Sequence, residues 1–340
     1  TGSTALTSLP DGPPLIAALF GAVLQLGTLV YVWGYSSARE CLADAPSCIL
    51  RPWSADPWGR TVVFTLTFAI FMWLVSLRTL PATGASDPSI VDRLWSIMPF
   101  LYTWHWCLSS EIFMPRQWIM NLVVTFWGGR LTYNFWMKGG FSGGEDYRWE
   151  VIRQWFPGWQ WEVFNLVFIC LFQQTAILAF TVPAVSAMQS DVPLGPLDAC
   201  ACLLCSLLVA GEALADRQMF AYQSEKYRRQ AAGEQPGAYA RGFVETGLWA
   251  YSRHPNYFCE VSLWWAFYLF SVTATGHWLN WTIWGAVFLS GLFLLPGGSL
   301  DLTESLSSSK YPDFADYQQH VSKFLPLPPW PMQYSRDKRA

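Results

Sequence analysis

The segment Ser252-Arg253-His254-Pro255-Asn256-Tyr257 sets an arginine, a histidine and an amide directly before an aromatic, lipid-like run that ends at Trp265. Pro255 lacks a backbone donor and steers His254 away from helical geometry, so the spacing predicts a helix that begins with Pro255 at its first position. The first turn of such a helix offers unpaired amides and a positive dipole end, with Asn256 and Tyr257 beside them and Glu260 one turn further in. That is the outline of an anion or amide recognition site. A second polar cluster precedes it. Glu212 and Asp216 are four residues apart and share a face if the helix carrying them continues, and Arg217, Lys226, Arg228, Arg229, Arg241 and Arg253 then gather around one mouth. Arginine forks match phosphate oxygens, so this mouth suits a phosphate-bearing cofactor; the alternative is a set of juxtamembrane charges that fix orientation and touch lipid headgroups.

The elements that must hold these residues are apolar. Of 340 residues 52% are hydrophobic and 13% charged, with 21 tryptophans, more apolar surface than a soluble core of this length buries. The expected fold is all-α, a polytopic transmembrane bundle of about eight spans, near 15–35, 61–80, 95–113, 118–136, 162–187, 194–215, 256–273 and 277–295. Residues 1–60 form a lead-in, a first span and a loop, and 61–340 the main membrane domain. With eight crossings only Arg39, Arg51, Arg60 and Arg116 of the 21 Lys and Arg fall on one side, a bias that directs the basic loops to cytosol, matrix or stroma and the chain to the endoplasmic reticulum or an organellar inner membrane. A net charge of -3 gives no reason to expect a nucleic acid. Six of the eight cysteines lie in apolar segments as packing residues, and Cys41 and Cys48 share a loop where a disulfide can form. Cys200, Cys202 and Cys205 lack a histidine or carboxylate at ligand spacing, so no metal is expected.

Four stretches, "VDRLWSIMPFLYTWHW", "GGRLTYNFWMKGGFSGGEDYRWEVIRQ", "GLWAYSRHPNYFCEVSLWW" and "LTESLSSSKYPDFADYQQHVSKFLPLPP", resemble successive signatures of the steroid 5α-reductase-like integral membrane proteins, in particular their domain-of-unknown-function branch. The resemblance covers roughly 89–329. It implies a bundle of seven or more helices, NADPH as hydride donor, and reduction of an activated carbon–carbon double bond in a lipid or steroid-like substrate. It places Asp216 where the reductases use an aspartate on the cofactor and Asn256 where they use an asparagine near the nicotinamide. Glu212 stands where they have an asparagine. Tyr311, in the tail resembling the segment that closes over the cofactor, is the nearest contacting tyrosine, and Arg148 and Arg153 belong to this branch's own motif.

Enone reduction needs an acid that stabilises negative charge growing on the carbonyl oxygen while hydride is delivered. Similar reductases use a glutamate and a tyrosine for this. Here Asp92 falls near the first and Trp127, which cannot donate a proton in that way, near the second. Tyr102 with His105, and Arg130 with Tyr133 and Asn134, are the substitutes, while Tyr102 and Tyr133 also fit an aromatic belt. Arg130 calls for a buried partner, with Asp92 or Glu145 as candidates. The catalytic set is therefore Asp92, Tyr102 and Tyr133, and the cofactor set Glu212, Asp216, Arg241, Arg253, His254, Asn256, Glu260 and Tyr311. Two other readings stand beside the reductase. One is a non-catalytic subunit of a respiratory or photosynthetic membrane complex, with other subunits as partners. The other is a methyltransferase using S-adenosylmethionine, because "RHPNY" also resembles the isoprenylcysteine and phospholipid methyltransferases.

Overall fold

The computed structural model describes residues 57–79, 84–108, 114–141 and 145–330. The expected first span, the loop with Cys41 and Cys48 and nearly all of the N-terminal unit lie outside the described residues. Among those described, every regular element is a helix: α1 (Pro57–Leu77), α2 (Ser89–Leu94), α3 (Met98–Leu108), α4 (Pro115–Met137), α5 (Tyr147–Trp155), α6 (Trp159–Met188), α7 (Pro196–Ala231), α8 (Pro255–Thr275), α9 (Ile283–Leu294), α10 (Ser299–Lys310) and α11 (Phe314–His320). Among the described residues three helices are long and apolar enough to cross a membrane: α6, α7, and α9 taken through its bend into α10, Ile283–Lys310.

The pairing of α7 with α8 is the most extensive in the bundle, and α4 lies across both. The core between them is aromatic, with Trp106, Trp127, Trp264 and Phe267 fully buried. The Trp127 and Trp264 rings meet edge to face, centroids 5.0 Å apart, a geometry that aligns ring edge with ring face. Outward faces stay apolar too, with Phe126 and Trp136 on α4 and Leu203 and Leu207 on α7 exposed, as expected where lipid is the solvent.

Two features fix the geometry locally. Gly285 lets α9 press onto α6, because a Cβ there would sit 2.2 Å from the Ala179 carbonyl oxygen. Within α6, residues Asn165–Phe172 form a π-helical stretch. At its start the Asn165 amide donates to the Ser76 and Ser86 hydroxyls, each at 2.7 Å. Such local unwinding needs tertiary bonds to hold it.

α8 begins as the sequence predicts, with Pro255 in its first turn and His254 at a non-helical φ of -138°. α7 runs on for 36 residues, far beyond the expected end at 215, because the charged turns from Asp216 to Ala231 continue the same helix past its apolar run.

Candidate functional site

The inward stripe of α4 carries Trp127, Arg130 and Asn134 at helical spacing. It faces Glu212 and Asp216 on α7 and Glu260 on α8. Arg130 lies 2.7 Å from a carboxylate oxygen of Glu212 and 2.7 Å from one of Asp216. Asn134 donates to Asp216 at 2.8 Å. The indoles of Trp127 and Trp264 donate to the two oxygens of Glu260 at 2.7 and 2.9 Å. Glu212 and Asp216 thus share a face as expected. Arg130's partners are these two, and not Asp92 or Glu145: α4 packs on α7, which brings the pair to it. Trp127 stands as an indole donor that holds a carboxylate in place.

Arg253 and His254 serve a different neighbour. The Arg253 guanidinium donates to both Glu304 oxygens, at 2.5 and 3.0 Å, and to the carbonyls of Gln318 and Val321. His254 Nε2 lies 3.2 Å from Glu304. Burial holds the His254 imidazole below its usual pKa, with the Glu304 carboxylate opposing. The Arg253 amide also bonds the Ser322 carbonyl at 2.8 Å, and Ser252 bonds that of Phe324. These two residues therefore anchor the C-terminal tail on the start of α8. The guanidinium is thus turned to Glu304 and the tail, where the sequence led to the expectation of a cofactor contact. Glu304, the hub of the latch, is missed by the sequence reading; its only signal is its place in a polar tail motif.

The other cations of the mouth also divide. Arg228 pairs with Glu225 and Glu234, Arg229 with Glu225, and Arg241 with Glu245 and Asp316. Lys226 differs. It is 4% exposed and its ammonium donates to the Gly242 carbonyl at 2.9 Å and the Tyr311 hydroxyl at 3.3 Å, with no carboxylate partner among the described residues. It lines a pocket of 790 Å³ with Arg229, Arg241, Lys310, Tyr239 and Tyr311. Lys310 lies 5.4 Å from the centre of the Tyr311 ring. Gly242, at φ +82°, is obligatory there: a Cβ would meet that ring at 2.5 Å. Of the expected cofactor residues, Arg241 and Tyr311 line this pocket. Glu212, Asp216 and Glu260 lie deeper, in the Arg130 network.

The three expected catalytic residues are not brought together. Tyr102 is in the core, where its hydroxyl accepts from Thr65 at 2.9 Å, and Tyr133 is 59% exposed on the outer face of α4, as a belt residue would be. Asp92 accepts from the Trp149 indole at 2.6 Å. Burial pushes its carboxyl up to about 6, against the pull of Arg148 and the Trp149 bond. Arg148, held by Asp146 at 2.8 Å, lies close enough to Asp92 and Tyr257 to interact with both. Among the described residues its hydrogen bonds go to Asp146 alone; in the first turn of α8, Asn256 Oδ1 is buried without a partner among the same residues. Arg153 instead ties Glu145 to the Ser86 carbonyl.

Comparison with known proteins gives the family without an activity. An uncharacterized protein of Schizosaccharomyces pombe is 34% identical over 287 residues, 81% of this chain and 81% of the relative. No solved structure matches. The family model described as a protein of unknown function, DUF1295, matches residues 58–322, and the chain belongs to this family, a branch of the steroid 5α-reductase-like proteins.

Proposed function

We propose that the protein is an NADPH-dependent reductase of an activated carbon–carbon double bond in a lipid or steroid-like substrate. The observation that carries this reading is the pocket around Lys226: a buried ammonium with no carboxylate partner among the described residues, beside Lys310 and the Tyr239 and Tyr311 rings, supplies donors for a phosphorylated nucleotide, while Arg229 and Arg241 on its wall are already paired and Glu234 and Asp313 complete the lining. Lys226 and Asp216 are ten residues apart on α7, about 15 Å along the axis, a span that an extended dinucleotide covers. At the far end, the orphan Asn256 Oδ1 fits the amide N–H of a nicotinamide. The bound cofactor supplies a hydride. This chain's residues would anchor the phosphates through Lys226 and Lys310, orient the amide through Asn256, and hold a proton on Asp92, whose carboxyl near 6 lies in the range for general acid work. An eight-span arrangement with this pocket on the basic side, facing cytosol, matrix or stroma, accords with the charge bias of the loops.

The test is NADPH titration of the purified full chain, followed by nicotinamide fluorescence. Lys226→Met is expected to weaken binding at least tenfold, and Arg228→Met, which removes an exposed and already paired cation, by less than twofold. Equal effects, or no binding by a folded wild type, would overturn the reading. Absence of any cofactor would favour the non-catalytic subunit, and uptake of S-adenosylmethionine the methyltransferase.

A further inference from the structure

Near the start of α4, about two to three turns before Trp127, two amides are buried in a setting that does not satisfy them. Gln117 is 1% exposed and Asn121 0%. Among the described residues Gln117 Nε2, Asn121 Nδ2 and Asn121 Oδ1 have no oxygen or nitrogen hydrogen-bond partner. Four residues apart, the two side chains lie on one face. The Cys107 thiol on α3 is within hydrogen-bonding reach of Asn121 and takes one of its amide hydrogens, a weak bond that leaves the second hydrogen and the Asn121 oxygen unmet. Other hydroxyls in the area are spent on backbone: Thr125 on the Asn121 carbonyl at 2.7 Å, and Thr103 on that of Pro99 at 3.0 Å. Trp106, Met120, Val124 and Ala184 belong to the apolar core into which α3 and α4 pack.

The three atoms together define what would complete them. Two amide nitrogens need an acceptor and one amide oxygen needs a donor. A hydroxyl oxygen accepts two bonds and donates one, so it meets all three at once. A ketone or carboxylate leaves Asn121 Oδ1 alone, and an ammonium leaves both nitrogens alone. Exchanging the oxygen and nitrogen of Asn121 does not alter this count, since both are orphaned. The neighbouring residue, Arg116, is closed onto Asp198 at 2.7 Å and onto the Val192 and Pro193 carbonyls, so its charge is met within the protein.

We infer that Gln117 and Asn121 form a binding site for the hydroxyl group of an otherwise apolar ligand, a lipid alcohol. Its naming as substrate rests on the reductase reading: Asn121 precedes Trp127 by six residues, about 9 Å along α4, so the alcohol marks the end of the molecule remote from the carboxylate network. Binding itself requires no cofactor.

Photolabelling tests this without NADPH. The full chain in lipid nanodiscs is exposed to a diazirine-bearing hexadecanol or to its methyl ether, which keeps the chain but lacks the donor, and labelled peptides are mapped. The alcohol is expected to label the segment 117–131 at least tenfold more than the ether, and Asn121→Leu to reduce it to the ether's level. Gln117→Met, nearly isosteric, provides a second variant if Asn121→Leu fails to fold, with the same loss expected. Equal labelling by alcohol and ether, or labelling indifferent to both substitutions, overturns the proposal and leaves an enclosed water as the partner of the amides. NADPH binding by the same samples shows separately whether the reductase reading stands.

Discussion

Asp92 is an acidic side chain that the fold half-buries within reach of Arg148 and Trp149. Its pKa, raised from 3.8 to about 6, means that the folded protein holds this proton more tightly than the unfolded chain does. The resulting cost to stability is absent below pH 4, grows as pH rises through about 6, and is complete by pH 8. Asn at this position keeps an oxygen for the Trp149 indole and removes that cost. Asp92→Asn is thus expected to match the wild type at pH 4 and to exceed it at pH 8 by about 1 to 2 kcal/mol, less than the full shift because the carboxylate is only half-buried; thermal unfolding in detergent across that range checks it. Arg130 was legible as a residue in need of a buried partner, but not which one. Choosing Glu212 and Asp216 over Asp92 and Glu145 depends on which helices touch, and a single chain read residue by residue carries little of that information.

At the scale of elements, the start of α8 was the most legible feature. Pro255 fixes the first turn by chemistry internal to three residues, and the helix begins there. The use of Arg253 and His254 was not legible, since their partner Glu304 is about fifty positions away in a tail whose apolar periodicity is weak. Likewise the π stretch in α6 depends on Ser76 and Ser86, not on anything in its own composition. The latch formed by Arg253, Glu304 and the tail has a direct test. Glu304→Gln leaves the buried Arg253 charge uncompensated, which is strongly destabilising where a partner is removed from a buried pair. Limited trypsin digestion should then cut at Lys310 and Lys323 several-fold faster than in the wild type; unchanged cleavage would mean the tail is held by its aromatic contacts with Phe243.

At the scale of the whole molecule, the composition alone required a membrane-embedded helical bundle, and the described residues contain three helices of sufficient length and apolarity. Alkaline carbonate extraction should leave the protein in the membrane pellet, and its appearance in the supernatant would contradict that reading. Helix α7, at 36 residues, is about 54 Å long at 1.5 Å per residue, against a hydrocarbon layer of about 30 Å. The helix is thus longer than the layer is thick, and Lys226 sits in its charged last turns, while Gln117 and Asn121 lie among apolar side chains of the core. A water-soluble nucleotide and an oily alcohol would then enter by separate doors, neither blocking the other. Steady-state kinetics with both varied should accordingly show random order of addition, with each reactant able to dissociate while the other stays bound.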